Sequence, residues 1–299
     1  MKKLAGISFL VASALLSAQD RADRGARQQK IDVQSYLIDA QVDPRAQTLN
    51  ATVMVRFIPL EDTSQVTFEL NNALNISKVT DEDGRQVPSS RLQQDMSVKL
   101  SLPQTLKRGK VAALTFVYDG KLSGDEESPV FGIKFAAIHP EGSYLLYPSR
   151  WFPVNDYSTD RFSSDLKVTV PEGYNVAASG TESKEGPGVF RFKYDQSSFP
   201  GSFAIVRGEA QVVTAGGIKT YFYLRDSSAM AQAYGDEIAK AISFFTNLYG
   251  VPPRLSLTVV ETEAGAANGY SSPGMLFLSP GGIGKQVNLK LVANQVSRQ

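Results

Sequence analysis

Val33-Gln-Ser-Tyr-Leu-Ile-Asp-Ala-Gln-Val42, the turn Asp43-Pro-Arg-Ala-Gln-Thr48, and Leu49-Asn-Ala-Thr-Val-Met-Val-Arg-Phe-Ile58 begin the strand-patterned part of this chain. Both outer segments are rich in β-branched and aromatic residues and largely alternate apolar with polar. That period of two fits a half-buried strand, so the stretch reads as a hairpin. Further strand patterns follow at Gln65–Leu70, Ile76–Thr80, Ser97–Leu102, Val111–Tyr118, Tyr144–Pro148, Asp165–Val170, Val189–Lys193, Phe203–Arg207 and Ala210–Val213. Turn signals such as Asp81-Glu-Asp-Gly84 and Lys107-Arg-Gly109 separate them. Many short strands at this spacing predict a sandwich or a curved, saddle-like β domain over residues 31–215.

The pattern changes near Gly216. Ile218–Leu224 is one more strand. A helix capped by Ser227 or Ser228 follows, with Met230, Tyr234, Ile238, Ala241, Ile242, Phe245 and Leu248 at helical spacing. Gly250 and Pro252-Pro253 stop it. Leu255–Val260 and Met275–Ser279 read as strands around a loop at Glu261–Pro273, and Lys285–Gln299 reads as a closing helix. Residues 216–299 are therefore α+β. At roughly 100° per residue, Leu289, Val292, Ala293 and Val296 share one side of that last helix. Asn294, Gln295 and Arg298 share the other, with Asn294 and Arg298 one turn apart.

Composition narrows the functions. The chain has 299 residues, 42% hydrophobic and 20% charged, as in a globular protein with room for two cores. Its 31 basic and 30 acidic residues leave a net charge of +1, with no basic stripe for nucleic acid. The absence of cysteine removes disulfides and thiolate metal sites, and the single histidine, His139, argues against histidine-based metal or triad chemistry. His139 lies in Ile138-His-Pro-Glu141 and reads as a turn residue. Gly281-Gly-Ile-Gly284 lacks the lysine of a phosphate loop and reads as a connection. Tyr144, Tyr147, Trp151, Phe152 and Tyr157 read as packing aromatics.

Taken in order, several pieces resemble the alanyl-aminopeptidase type of zinc metallopeptidase, the gluzincins with an N-terminal β-saddle and a thermolysin-like catalytic domain. They are Tyr36-Leu-Ile-Asp39 with Asp43-Pro44, Trp151-Phe-Pro-Val-Asn-Asp156, Leu166-Lys-Val-Thr-Val-Pro-Glu-Gly-Tyr174 and Ala178-Ser-Gly180. The family holds a peptide's amino end with a G-A-M-E-N loop and its adjoining edge strand. The resemblance places that site at Gly269, Tyr270, Ser271, Ser272 and Met275. The Met and Glu of that loop are replaced around Ser271 and Ser272, and a hydroxyl cannot neutralise an ammonium. Glu261 and Glu263 are candidate substitutes, or solvated loop carboxylates.

The same resemblance sets Asn294 and Arg298 at the two zinc-binding His of H-E-x-x-H and Gln295 at the general-base Glu. Neutral amides ligate zinc poorly, a guanidinium repels it, and Gln accepts no proton. The family's third ligand and an oxyanion-stabilising Tyr lie beyond the position of Gln299. The expectation is thus a non-catalytic aminopeptidase-like protein without the family's zinc, binding peptides or envelope proteins. The alternative is the N-terminal part of a zinc-dependent metallo-aminopeptidase. The stripe of Leu289, Val292, Ala293 and Val296 is expected to want partner helices from further along such a domain.

The N-terminus reads as an export signal over residues 1–18, with basic Met1-Lys-Lys3, apolar Leu4–Leu16 and small residues to Ala18. A charged linker over residues 19–30 follows, and no later stretch could span a membrane. The expected location is periplasmic or secreted. Cleavage after Ala18, or alternatively after Ala14, should give a mature chain whose intact mass lacks the leader, whereas recovery of the chain with Met1 from the cell envelope would contradict export.

Overall fold

The computed structural model describes residues 30–155, 160–251 and 256–299. The proposed leader and nearly all of the linker fall outside them, as do Asp156, Tyr157, Pro252-Pro253 and Leu255.

The strands run in this order: β1 (Ile31–Asp43), β2 (Thr48–Pro59), β3 (Thr63–Glu69), β4 (Leu74–Thr80), β5 (Ser89–Leu92), β6 (Ser97–Leu106) and β7 (Ala112–Lys121). They continue with β8 (Ala136–Ala137), β9 (Ser143–Leu145), β10 (Phe162–Thr169), β11 (Asn175–Ala178), β12 (Thr181–Gly186), β13 (Val189–Ser198) and β14 (Phe203–Val206). The last are β15 (Gln211–Ala215), β16 (Ile218–Tyr223), β17 (Ser256–Glu261), β18 (Tyr270–Ser272) and β19 (Met275–Leu278).

The opening hairpin forms as its alternation requires. β1 and β2 pair antiparallel from Ile31↔Pro59 to Asp43↔Thr48. Asp43 Oδ1 accepts from the Arg45 and Ala46 amides and fixes the turn. These two strands lie inside a seven-stranded sheet ordered β12-β13-β10-β1-β2-β7-β4. All its pairings are antiparallel except β1 with β10. A small sheet, β3-β6-β5, shares its core through Val66, Phe68, Val98 and Leu100.

A buried aromatic centre ties the large sheet to the next layer. Trp151 and Phe152 are fully buried. The Tyr118 hydroxyl donates to Trp151 O at 2.9 Å, and the Trp151 indole donates to Gly201 O at 2.9 Å. A Cβ on Gly201 would sit 2.6 Å from Phe152 Cζ, so only glycine lets the chain pass here. The next layer is the four-stranded sheet β11-β14-β9-β8.

Beyond it lies a five-stranded sheet, β15-β16-β17-β19-β18, whose three central strands are parallel. Parallel neighbours need a crossover, and between β16 and β17 it is the long helix Ala231–Tyr249. Tyr234, Ile238, Ala239 and Ile242 bury its inner face, and Gly235 sits where a Cβ would be 2.5 Å from Val213 Cγ1. The two assemblies meet through Tyr144, Ala204, Val206, Val260, Met275 and Phe277. Burying side chains of this size stabilises by about 1.5–3 kcal/mol each, enough to make this an integral interface.

The mostly β architecture with an appended α+β part is as the sequence implies. Several details differ. Gln211–Ala215 pairs with β16 and so belongs to the five-stranded sheet, not to the β domain. No serine side chain caps the long helix: a 3-10 turn at Ser228–Met230 precedes it, and the Ser227 hydroxyl donates to Glu261 instead. Leu248 is 57% exposed although its spacing fits the apolar face. The loop predicted from Glu261 to Pro273 contains β18. The closing helix spans only Leu289–Val296, because Asn288 caps it by accepting from the Leu291 amide. No described helix is long and apolar enough to cross a membrane.

Candidate functional site

β18 and β19 form a hairpin through Pro273-Gly274. Gly274 has φ +74°, the left-handed value that a proline-glycine turn of this kind requires. Ser272 pairs with Met275 next to the turn, Ser271 with Leu276 and Tyr270 with Phe277. Hydrogen-bonded and non-hydrogen-bonded pairs alternate in an antiparallel ladder. With Ser272↔Met275 closing the two-residue turn, the Ser271 N–H and C=O face away from β19. β18 is the edge of its sheet.

The helix Leu289–Val296 lies on the sheet face to which the Ser271 side chain points. The Ser271 hydroxyl donates to Gln295 O at 3.1 Å. The Gln299 side chain clasps the hairpin: its Oε1 accepts from the Gly274 amide at 2.8 Å and its Nε2 donates to Ser271 Oγ at 2.6 Å. A Cβ on Gly269 would be 2.7 Å from Leu291 Cδ1 and 3.3 Å from Gln295 Cδ. Glycine therefore sets how closely loop and helix approach. Ser272 and Tyr270 turn to the β assembly. Ser272 Oγ lies 3.0 Å from Ser179 Oγ and donates to Phe199 O at 3.2 Å. Tyr270 is partly buried beside Phe135. Burial raises its phenol pKa, and the hydrogen bond with Ser202 and the Arg298 charge pull it part of the way back.

The three positions singled out on the helix do not share one environment. Asn294 and Arg298 are exposed, whereas Gln295 is 6% exposed. Gln295 Nε2 donates to Asn294 Oδ1 at 3.2 Å, and Gln295 Oε1 has no hydrogen-bond partner among the described residues. A buried amide oxygen without a donor is costly, about 1–3 kcal/mol. The polar face read from the helical spacing is thus half inside the protein. The apolar stripe also finds its partners locally. Val292 and Val296 pack with Ile238, Ile242 and Leu278, and only Leu289, at 59%, stays exposed.

This donor set does not fit zinc. Asn294 Oδ1 already accepts from Gln295, Arg298 is a cation, and Gln295 offers only a neutral amide oxygen. No group of three or more His, Cys, Asp or Glu is placed to hold a metal among the described residues. Of the two nearby glutamates, Glu261 is buried and Glu263 is partly exposed, and the partners of both lie away from the edge strand. Glu261 is 5% exposed and accepts from the Arg225 and Ser227 amides and the Ser227 hydroxyl. Glu263 accepts from the Tyr144 hydroxyl at 3.1 Å and faces Lys134 and His139 at 3.5 Å each. His139 holds a turn and contacts Gln47 through Nδ1 at 3.0 Å. The Gly281–Gly284 stretch is packed rather than open: Ser279 caps its amides and Tyr234 donates to Gly282 O and Ile283 O.

No family model matches the sequence, and no curated protein does. Solved structures do match in fold. A mutant two-domain M1 zinc metallopeptidase bound to L-arginine superposes with a TM-score of 0.68 at 20% identity, over 90% of this chain and 65% of that one. An M1 zinc metallopeptidase from Deinococcus radiodurans gives 0.68 at 20% identity, over 90% and 64%. A mutant of the Deinococcus radiodurans enzyme bound to a Tyr-Ser-Ala substrate gives 0.67 at 20%, over 90% and 65%. This chain has their fold, which is the fold its resemblance implies, and spans about 65% of the length of those chains.

The Gln299 clasp gives a direct expectation. Gln299→Ala removes the acceptor of the Gly274 amide and should speed its hydrogen exchange by about tenfold, the effect of losing roughly 1.4 kcal/mol locally. Global unfolding should shift by less than about 1 kcal/mol. Unchanged exchange at Gly274 would show that the clasp does not hold the hairpin.

Proposed function

We propose that this chain is an exported, aminopeptidase-like protein that binds the extended end of a peptide along β18 without cleaving it. The observation that carries the reading is the buried, unpartnered Gln295 Oε1 beside an edge strand whose Ser271 main-chain groups face outward. A peptide laid along such an edge gains main-chain hydrogen bonds, and one of its N–H groups can satisfy the Gln295 acceptor. A protein of the same fold binds the tripeptide Tyr-Ser-Ala, which supports peptide as the ligand class.

Hydrolysis is a separate matter. In a zinc peptidase the metal polarises the carbonyl and a carboxylate takes the proton from water. At the matching positions this chain offers an amide where the base would be, and an amide and a guanidinium where ligands would be. Ser271 and Ser272 stand at the family's anchoring positions, so no carboxylate there pairs with a peptide's ammonium end. The role that fits is recognition of a peptide or of an envelope protein's extended segment.

The second reading, the N-terminal part of a zinc-dependent metallo-aminopeptidase, draws on a fold likeness covering 90% of the chain. Elemental analysis and an aminoacyl-anilide assay separate the two. The binding reading expects no stoichiometric zinc and no release of aniline. One equivalent of tightly held zinc would overturn it in favour of the peptidase. The variant carrying Asn294→His, Gln295→Glu and Arg298→His should bind zinc only loosely, since it gains two histidines where a catalytic site uses three protein ligands.

A further inference from the structure

A cavity of about 500 Å³ lies between the four-stranded sheet and the carboxyl ends of β16 and β17. It is separate from the β18 edge. Val206, Phe222 and Val260 supply apolar lining, with the rings of Tyr144 and Tyr223. Five carboxylates line it against two guanidinia. Both guanidinia are committed: Arg207 donates to Pro140 O at 2.8 Å and to the Tyr174 hydroxyl at 2.9 Å, and Arg225 donates to Thr262 O at 2.7 Å. Glu261 and Glu263 are engaged as described above.

That leaves Glu141, Glu209 and Asp226. All three are exposed, and none makes a hydrogen bond or ion pair among the described residues. Glu141 still attracts Arg207 through space. Burial raises the Tyr223 phenol pKa, and the Glu182 and Glu209 charges raise it further. The cavity therefore carries an excess of negative charge at its mouth.

A second, independent feature lies in its wall. Thr262 is 2% exposed, and its Oγ1 has no hydrogen-bond partner among the described residues. Its amide donates to Leu278 O at 2.9 Å and so continues the β17 ladder. Alternation along the strand puts its side chain on the face of Val260, the face packed toward Tyr144 and Val206. A buried hydroxyl without a partner, on the cavity side, is open to a polar group of a ligand, including an N–H donor.

We propose that this cavity binds a linear alkylammonium that carries a second N–H donor at its other end. The ammonium lies among Glu141, Glu209 and Asp226. The methylenes pack on Tyr144, Tyr223 and Val206, where a cation and its stem gain from ring faces. The far N–H donates to Thr262 Oγ1. A free diamine and a peptide's lysine side chain share this chemistry. The proposal does not rest on peptide binding at β18.

Titration calorimetry of the full chain with cadaverine tests it, with hexanoate as the anionic counterpart. Saturable one-to-one binding that weakens with added salt is expected for cadaverine, and none for hexanoate. The double variant Glu209→Gln, Asp226→Asn changes exposed residues and should weaken binding at least about tenfold. Thr262→Val should also weaken it, while the unfolding temperature stays the same or rises, because an unsatisfied hydroxyl is removed. A stability readout alone would not separate that outcome from a structural role, but the paired loss of affinity does. Nα-acetyl-lysine amide binding as tightly as cadaverine assigns the ligand to a lysine side chain, and weaker binding assigns it to a free diamine. Absence of saturable cadaverine binding, equal binding of hexanoate, or unchanged affinity in both variants would overturn the proposal.

Discussion

The contact between Gly269 and the closing helix governs the candidate site. With no Cβ at Gly269, Leu291 and Gln295 come within van der Waals reach of the loop that leads into β18. Gln295 is thereby drawn into the interior, Ser271 reaches its carbonyl, and Gln299 reaches the hairpin turn. A larger residue at Gly269 would push the helix outward and open all of these contacts together. The edge strand, the buried amide and the Gln299 side chain are one mechanical unit.

That unit rests on the interface beneath it. Met275 and Phe277 of β19 pack with Tyr144, Ala204 and Val206 of the four-stranded sheet. Ser272 adds polar contacts to Ser179 and Phe199. The four-stranded sheet is in turn fixed to the large sheet through Trp151 and its hydrogen bond to Gly201. The opening hairpin β1–β2 therefore positions the site at a distance, through a continuous series of packed layers. The same interface encloses the acidic cavity, because strands of both assemblies contribute its walls.

The large elements were legible in the sequence. β1 and β2 alternate cleanly, and the long helix carries an apolar stripe, so period alone identifies them. The short elements were not. β18 is three residues, Tyr-Ser-Ser, with too little pattern to show a strand. It exists because β19 offers it a ladder and Pro273-Gly274 turns the chain back. Helical spacing marks the site helix but not its start, which Asn288 sets by capping the Leu291 amide. Helical spacing puts Gln295 on a polar face with Asn294 and Arg298. Its burial depends on a glycine twenty-six positions earlier in the chain, which no helical periodicity reports. Glu261 and Glu263 looked like loop carboxylates because their donors, Ser227, Arg225 and Tyr144, are distant in sequence.

The proposed function couples an edge strand that would hold a peptide to an amide, Gln295, at the position where the family has its general base. Residue-resolved hydrogen exchange with an N-terminally free peptide, followed by the mass of the recovered peptide, tests both halves at once. The account predicts slowed exchange of the Ser271 amide and a peptide of unchanged mass. An unaffected Ser271 amide, or a peptide shortened from its amino end, would contradict it.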